Sequence, residues 1–346
     1  MIAEIIRDAP AAGGVAFGLV VLLVPVTMRL CRRWNLYDFP GPLKIHAQPV
    51  PRLGGAAIAV ALFAGPILCS RVSVESAWPY FAALGLVWIA GLVDDARGLS
   101  PVLRFVPQIA AGALLWHGGW RVPLLGDGAL DLAATCLFAA FIINALNFLD
   151  GSDGVASGVA GIIAAAYVAL PGASRSPLGY AVAWSLAGAC AGFLIFNFPR
   201  AKLYMGDSGS TSLGFVIAFL ALNFYRSAGV STSLLLFPFW VAALPLVDAL
   251  LAIIRRLRAR ASPLHGDLRH ASDLLRARGW SARSVAYACY GITAGLAIVG
   301  WMAVRTGSAR FYFFAAPFLA ALFLASIRLG SLEPGKREAR VEQART

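Results

Sequence analysis

Charge is scarce in this sequence. Only 13% of its 346 residues are Asp, Glu, Lys or Arg, whereas 59% are hydrophobic, and the mean hydropathy is +0.74. Soluble domains run at about 25% charged and about 45–50% apolar. A water-soluble fold this apolar would expose large contiguous patches and aggregate, so soluble classes are excluded and the excess apolar surface needs lipid. Paired cysteines are also lacking. Cys31, Cys69, Cys136, Cys190 and Cys289 are scattered, form no Cys-x-x-Cys and mostly fall in apolar runs, where Cys packs as a small hydrophobe. Neither a disulfide framework nor a zinc site follows. The opening, Met1 to Pro10, carries Glu4, Arg7 and Asp8 rather than a basic leader, which argues against a cleaved signal peptide. No internal repeat is visible, and the longest hydrophilic stretch, about 255–284, reads as a loop rather than a domain.

What is present is a succession of apolar runs. A membrane span needs about 20 mostly apolar residues. Eleven candidates meet or approach that length: 13–31, 54–70, 77–93, 102–116, 131–149, 154–170, 179–198, 208–226, 232–254, 285–305 and 311–328. The fold class expected is an all-α integral membrane protein of about eleven transmembrane helices, with 1–329 as one polytopic domain and 330–346 as a polar tail. The net charge of +12 could suggest nucleic acid, but the charges sit in short loops between spans, as the positive-inside bias requires. Of the 29 Lys and Arg, 22 fall in one set of alternate loops and the tail. The other seven are Arg7, Arg71, Arg121, Arg175, Arg226, Arg305 and Arg310. The rich side is cytoplasmic, which puts the N-terminus outside and the C-terminus inside.

Polar clusters at span ends are expensive in a membrane unless they are used. Asp94-Asp95 closes the third run. Asn144, Asn147, Asp150 and Asp153 lie in NALNFLDGSDG. Asn197 is followed by MGDSGS, which holds Asp207 and Ser208. SPLHGDLRH holds His265, Asp267, Arg269 and His270, and the first cytoplasmic loop carries Lys44, His46, Arg52, Gly54 and Gly55. Each has a bland explanation. The paired aspartates could be a solvated helix end, the Asn144/Asn147 pair interhelical glue, DGSDG a turn, and Asp207 or Ser208 a helix cap. Asp248, inside the ninth run, is most simply a polar contact to another helix or to the arginines at 255–256.

Taken together they say more, because all five map to the cytoplasmic side. At least five carboxylates stand beside Lys44, Arg52, Arg269 and His270. Hard oxygen ligands in that number suit Mg²⁺, which binds carboxylates together with substrate phosphates. Cationic side chains nearby suit a diphosphate. Phosphoryl transfer needs mainly positioning and charge neutralisation, and this set offers both.

At these residues the sequence resembles the polyprenyl-phosphate N-acetylhexosamine-1-phosphate transferase family, which includes the phospho-MurNAc-pentapeptide translocase. The resemblance covers roughly 35–285. It implies transfer of N-acetylhexosamine-1-phosphate from a UDP-sugar to undecaprenyl phosphate, with release of UMP, at the cytoplasmic face of a bacterial inner membrane. Such a step would initiate a cell-envelope polysaccharide such as O-antigen. It also implies Mg²⁺ (with Mn²⁺ as a substitute), no nucleic-acid partner, and a homodimer as a further option. By motif, Asp94, Asp95 and His270 take catalytic roles, and Asp207 and Asp150 hold metal. Lys44, His46, Arg52, Asn144, Asn147, Asp150, Asp153, Asp267 and Arg269 bind substrate. One-step attack and a covalent aspartyl-phosphate both remain open.

Two departures bear on the substrate. The family's last loop reads His-x-His-His, and here the stretch is His270-Ala271-Ser272-Asp273, which points toward a deoxy-aminosugar such as FucNAc or QuiNAc. Leu43 stands where Arg precedes the first-loop Lys, and Pro51-Arg52-Leu53-Gly54-Gly55 lacks the Thr-Met of the peptidoglycan enzyme. A secondary transporter with a cytoplasmic-side carboxylate site is the alternative, but such sites usually lie near the midplane of repeated halves. An inactive lipid-binding relative is a third option, opposed by the retained aspartates.

Overall fold

The computed structural model describes residues 2–39, 49–70, 72–122, 128–170, 176–228, 232–258 and 270–328. Among them the chain is helical apart from one two-stranded ribbon. The helices are α1 (Ile2–Trp34), α2 (Gly54–Cys69), α3 (Val74–Arg97), α4 (Pro101–His117), α5 (Ala129–Leu149), α6 (Val155–Val168) and α7 (Pro177–Asn197). After these come α8 (Gly206–Ala228), α9 (Thr232–Val241), α10 (Ala243–Arg258), α11 (Ala271–Ala277), α12 (Ala282–Thr306) and α13 (Arg310–Ser326). β1 (Tyr37–Asp38) pairs antiparallel with β2 (Val50–Pro51), Tyr37 opposite Pro51.

Every one of the eleven apolar runs is helical, but they are not equivalent as spans. Among the described residues six helices are long and apolar enough to cross a membrane alone: α1, α3, α5, α7, α8 and α12. A seventh crossing is the pair α9 and α10, bent by 70° near Ala242. The run 232–254 is thus broken where a continuous span was expected; Pro245, which has no N–H to give the Val241 carbonyl, follows the bend directly. The helices α2, α6 and α13 are shorter apolar segments.

The helices sort by what covers them. α8 is the least apolar of the six long spans and the only one of them wholly buried. It packs against α2, α3 and α5, so protein rather than lipid meets its Ser208, Ser210 and Ser212. Outer helices show the reverse: Leu22, Leu68, Leu130 and Phe314 are exposed, Phe314 at 83%, a surface suited to lipid. Small residues set the spacing between α1 and α7. A Cβ on Gly188 would lie 2.0 Å from the Gly13 carbonyl oxygen, so the two backbones touch.

Sidedness gives the first prediction. With Lys and Arg divided 22 to 7 between alternate loops, reporter fusions after Arg226 and after Arg345 should report opposite sides of the membrane, the second cytoplasmic. The same side for both would remove the alternating map and the shared cytoplasmic face with it.

Candidate active site

The site is built where α8 begins. Its first amides have no partner within the helix. The Asp95 carboxylate, from the end of α3, supplies one: Asp207 N–H donates to Oδ1 at 2.8 Å and Ser208 N–H to Oδ2 at 3.0 Å. An anion at a helix N-terminus is also favoured by the helix dipole. The fit is tight. Gly206 has φ of +70°, and a Cβ there would lie 2.6 Å from both Asp95 oxygens. A Cβ on Gly91, one turn back on α3, would lie 2.4 Å from Ser208 Cα. Glycine is therefore required at both positions, at Gly206 by conformation and at Gly91 by contact.

The described residues just before and at the start of α2 close on the same point. Gly54 and Gly55, opening α2, donate their amides to the carbonyls of Tyr204 and Met205 at 3.0 and 2.8 Å, and Tyr204 N–H donates to Pro51. Arg52 donates to the Asp95 carbonyl and stands 3.9 Å from Asp38.

Asp94 faces the other way. Its Oδ1 accepts the Leu99 N–H at 2.7 Å and its Oδ2 meets Arg104 Nε at 2.7 Å. Arg104 comes from the first turn of α4, whose start is set by Ser100 as cap and Pro101 behind it. Its Nη1 reaches Asp207 Oδ2 at 3.6 Å, so one guanidinium bridges two carboxylates that are also close to each other. Asp94 is buried, whereas Arg104 and Asp207 keep part of their surface open.

The NALNFLDGSDG segment ends α5 beside this pair. Asn147 Oδ1 accepts from Ser210 Oγ, and Asn144 Nδ2 donates to Gln108 and to the Ala140 carbonyl. Asp150 caps the helix; burial raises its carboxyl well above the usual carboxylate range, and Asp207, Asp95 and Asp153 add to the rise. Asp153 Oδ2 accepts the Ala201 N–H at 3.0 Å. Asn197 ties the loop down: its Oδ1 accepts the Gly154 N–H and its Nδ2 donates to the Leu203 carbonyl. His270 is buried against α10, with Nδ1 2.6 Å from Asp248 Oδ2 and its ring 5.4 Å from that of Phe148.

A cavity of about 400 Å³ opens between α3, α4, α5 and α10. Asp94, Arg104, Gln108, Asn144, Asn147 and Thr211 form its polar lining, and Val87, Ala90, Phe105, Leu137, Phe141 and Ile253 its apolar walls. Among the described residues no three acids, His or Cys form a closed metal cage. The donor set nonetheless fits Mg²⁺, which takes one or two carboxylates and fills its shell with water and substrate phosphates. A divalent cation there would offset the negative charge that Asp207, Asp95 and Asp153 bring to Asp150.

Comparison with known proteins agrees. The glycosyl transferase family 4 pattern matches residues 77–225. A decaprenyl-phosphate N-acetylglucosaminephosphotransferase of Mycolicibacterium smegmatis is 33% identical over 75% of this chain and 73% of its own length. The chain belongs to glycosyl transferase family 4. Other relatives in the family are a probable undecaprenyl-phosphate N-acetylglucosaminyl 1-phosphate transferase of Bacillus subtilis, 31% identical over 76% of each chain. A phospho-N-acetylmuramoyl-pentapeptide-transferase of Synechococcus is 31% identical over 83% of this chain and 91% of its own. The family is one of membrane-embedded phosphosugar transferases, and the chain is a multi-pass membrane enzyme of that class.

Within this family member the motif residues are brought together unevenly. Asp94, Asp95, Asn144, Asn147, Asp150 and Asp207 converge, with Arg52 at the rim. Lys44, His46, Asp267 and Arg269 lie outside the described residues. The paired aspartates are no solvated terminus, since both are buried and bonded. Sequence reasoning counted Arg104 only as a loop charge and passed over Gln108. Their spacing was the available signal, because four residues apart on an otherwise apolar helix puts both on one face. Asp248 does make a polar contact to another helix, since it holds His270 and the Ala271 N–H at the start of α11.

Proposed function

We propose that this chain transfers an N-acetylhexosamine-1-phosphate from a UDP-sugar to undecaprenyl phosphate at the cytoplasmic face of a bacterial inner membrane, releasing UMP and initiating a cell-envelope polysaccharide. The observation that carries this is the pair Asp94 and Arg104, which reaches on to Asp207, in the polar wall of a cavity whose other walls are apolar. A phosphate head on a prenyl chain has that polarity. The relatives' names support the same reaction class. The acids gather at the ends of α3, α5 and α8 rather than halfway along them, which disfavours the transporter alternative.

In this reading an oxygen of the lipid phosphate attacks the sugar-bearing phosphorus of the donor, and the bond to the UMP oxygen breaks. Asp94 takes or orients the acceptor proton, and Arg104 neutralises charge between the two phosphates. Asp207 and Asp150 would hold Mg²⁺, which would supply positive charge against the donor diphosphate. Asp95 keeps Asp207 in place through the α8 amides. Asn144, Asn147, Asp153, Lys44, His46, Arg52, Asp267 and Arg269 bind the donor and acceptor, and His270 meets the sugar or its diphosphate.

The sugar is argued from what replaces the family's histidines. Ser272 is buried, and the Asp273 carboxylate is turned to the His270 N–H. Two imidazole donors are thereby missing. A site with fewer donors discriminates less against a sugar with fewer hydroxyls. Purified protein given undecaprenyl phosphate and competing UDP-sugars should release UMP, and a 6-deoxy-N-acetylhexosamine donor should be used at least as well as UDP-GlcNAc. Clear preference for UDP-GlcNAc over UDP-FucNAc and UDP-QuiNAc would refute the deoxy-sugar part. No UMP release with any donor would overturn the function.

A further inference from the structure

Asp248 has no role in the reaction as described, yet it is 6% exposed inside α10 and both its oxygens are used. Oδ2 meets His270 Nδ1 at 2.6 Å, and Oδ1 accepts the Ala271 N–H at 2.9 Å. One carboxylate therefore holds both the ring of His270 and the backbone that follows it. The rest of the setting restricts the ring further. Phe148, at the end of α5, lies beside it with its plane tilted by 31°, and Arg256 places its guanidinium 4.8 Å from the Phe148 centroid. Asp273 accepts the His270 N–H at 3.2 Å and reaches to within 3.8 Å of where a Cβ on Gly151 would stand. The imidazole is thus lodged next to the Asp150–Gly154 loop, at the edge of the candidate site.

We infer that Asp248 is a positioning residue: it fixes the orientation and tautomer of His270 for that residue's contact with substrate. The inference rests on the reading of His270 as a substrate-contacting group. A carboxylate can only accept, so the proton at the 2.6 Å contact sits on Nδ1 and Nε2 becomes the lone-pair nitrogen of the neutral ring. Replacement by the isosteric amide keeps an acceptor for the Ala271 N–H but offers Nδ1 a donor. The ring proton then moves to Nε2 with little change of shape, as the same exchange does beside other catalytic imidazoles.

The test uses the full chain in lipid nanodiscs. The chain has four histidines, so a ¹⁵N-histidine spectrum is resolvable. One histidine should show the Nδ1–H tautomer, and Asp248→Asn should convert that signal to Nε2–H while the unfolding temperature stays close to that of the parent. Turnover should fall by about 10- to 100-fold, the range for groups that orient a ligating imidazole. That loss should disappear in a His270→Ala background, because the two changes act through one ring. An unaltered tautomer signal, or losses that multiply in the double variant, would overturn the proposal. Should Asp248→Asn not fold, Asp248→Glu carries the same cycle: a loss absent beside His270→Ala supports it and a persistent one overturns it. A fully active His270→Ala would instead show that His270 is outside the site, and the reading beneath the proposal would fall.

Discussion

Replacing Asp207 by Asn should take turnover below detection and leave the fold unchanged. The two halves of that expectation come from different atoms of the residue. Its backbone does the structural work: the N–H is held by Asp95 and the carbonyl accepts from Thr211 Oγ1. To the start of α8 its carboxylate adds only its attraction to the helix dipole. It stands 3.6 Å from Arg104, beside Asp94, and 29% of the side chain is open. An amide removes the charge and one hard oxygen ligand while every cap survives, so stability should change by no more than about 0.5 kcal/mol. A ligand role predicts in addition that EDTA stops the parent enzyme and that Mg²⁺ or Mn²⁺ restores it. UMP release and thermal unfolding measured on the same preparation decide the matter. Normal turnover in the variant would leave Asp207 as a helix-start residue and remove the proposed metal site.

The paired aspartates should separate in the same assay. Asp94→Asn is expected to lower kcat by at least about 10²-fold, the lower range for losing an acid–base group, with the unfolding temperature little changed. The amide can still accept the Leu99 N–H through its oxygen; what it loses is the contact with Arg104 and the capacity to take a proton. Asp95→Asn should also lose at least about 10²-fold, but with destabilisation of about 1–2 kcal/mol, the range for losing a charged helix cap. An amide has one acceptor oxygen for two amides, Asp207 and Ser208, and its NH₂ would oppose the other donor. Activity losses with equal stability in both variants would contradict this division. Two fully active variants would leave the pair as scaffold alone.

Why the two members of one Asp-Asp pair should differ could not be read along the chain. Adjacent residues at a helix end point in directions about 100° apart. Which of them meets α8 and which meets α4 depends on how those helices are set against α3, and that is decided by contacts such as Gly91 on Ser208. The same holds for Arg104, which acquires meaning only where α4 meets α3 and α8, for Gln108, where α4 lies beside α5, and for Asp248, whose partner is 22 residues away at the start of a separate short helix.

Other properties are local and were legible. The chain's need for lipid follows from composition alone. The helical stretches follow from the lengths of apolar runs, because a backbone in hydrocarbon must satisfy its own hydrogen bonds whatever surrounds it. The candidate chemistry follows from the residue types in NALNFLDGSDG and MGDSGS, which carry the family likeness. Tertiary structure decided the wholly buried place of α8 and the use of Asp95 and Asp153 as clamps for backbone amides. The physical reason is the same in each case. Hydropathy is a sum over neighbours in the chain, whereas a helix cap, a bridging guanidinium or an oriented imidazole is a contact between helix ends that only close packing of small residues brings together.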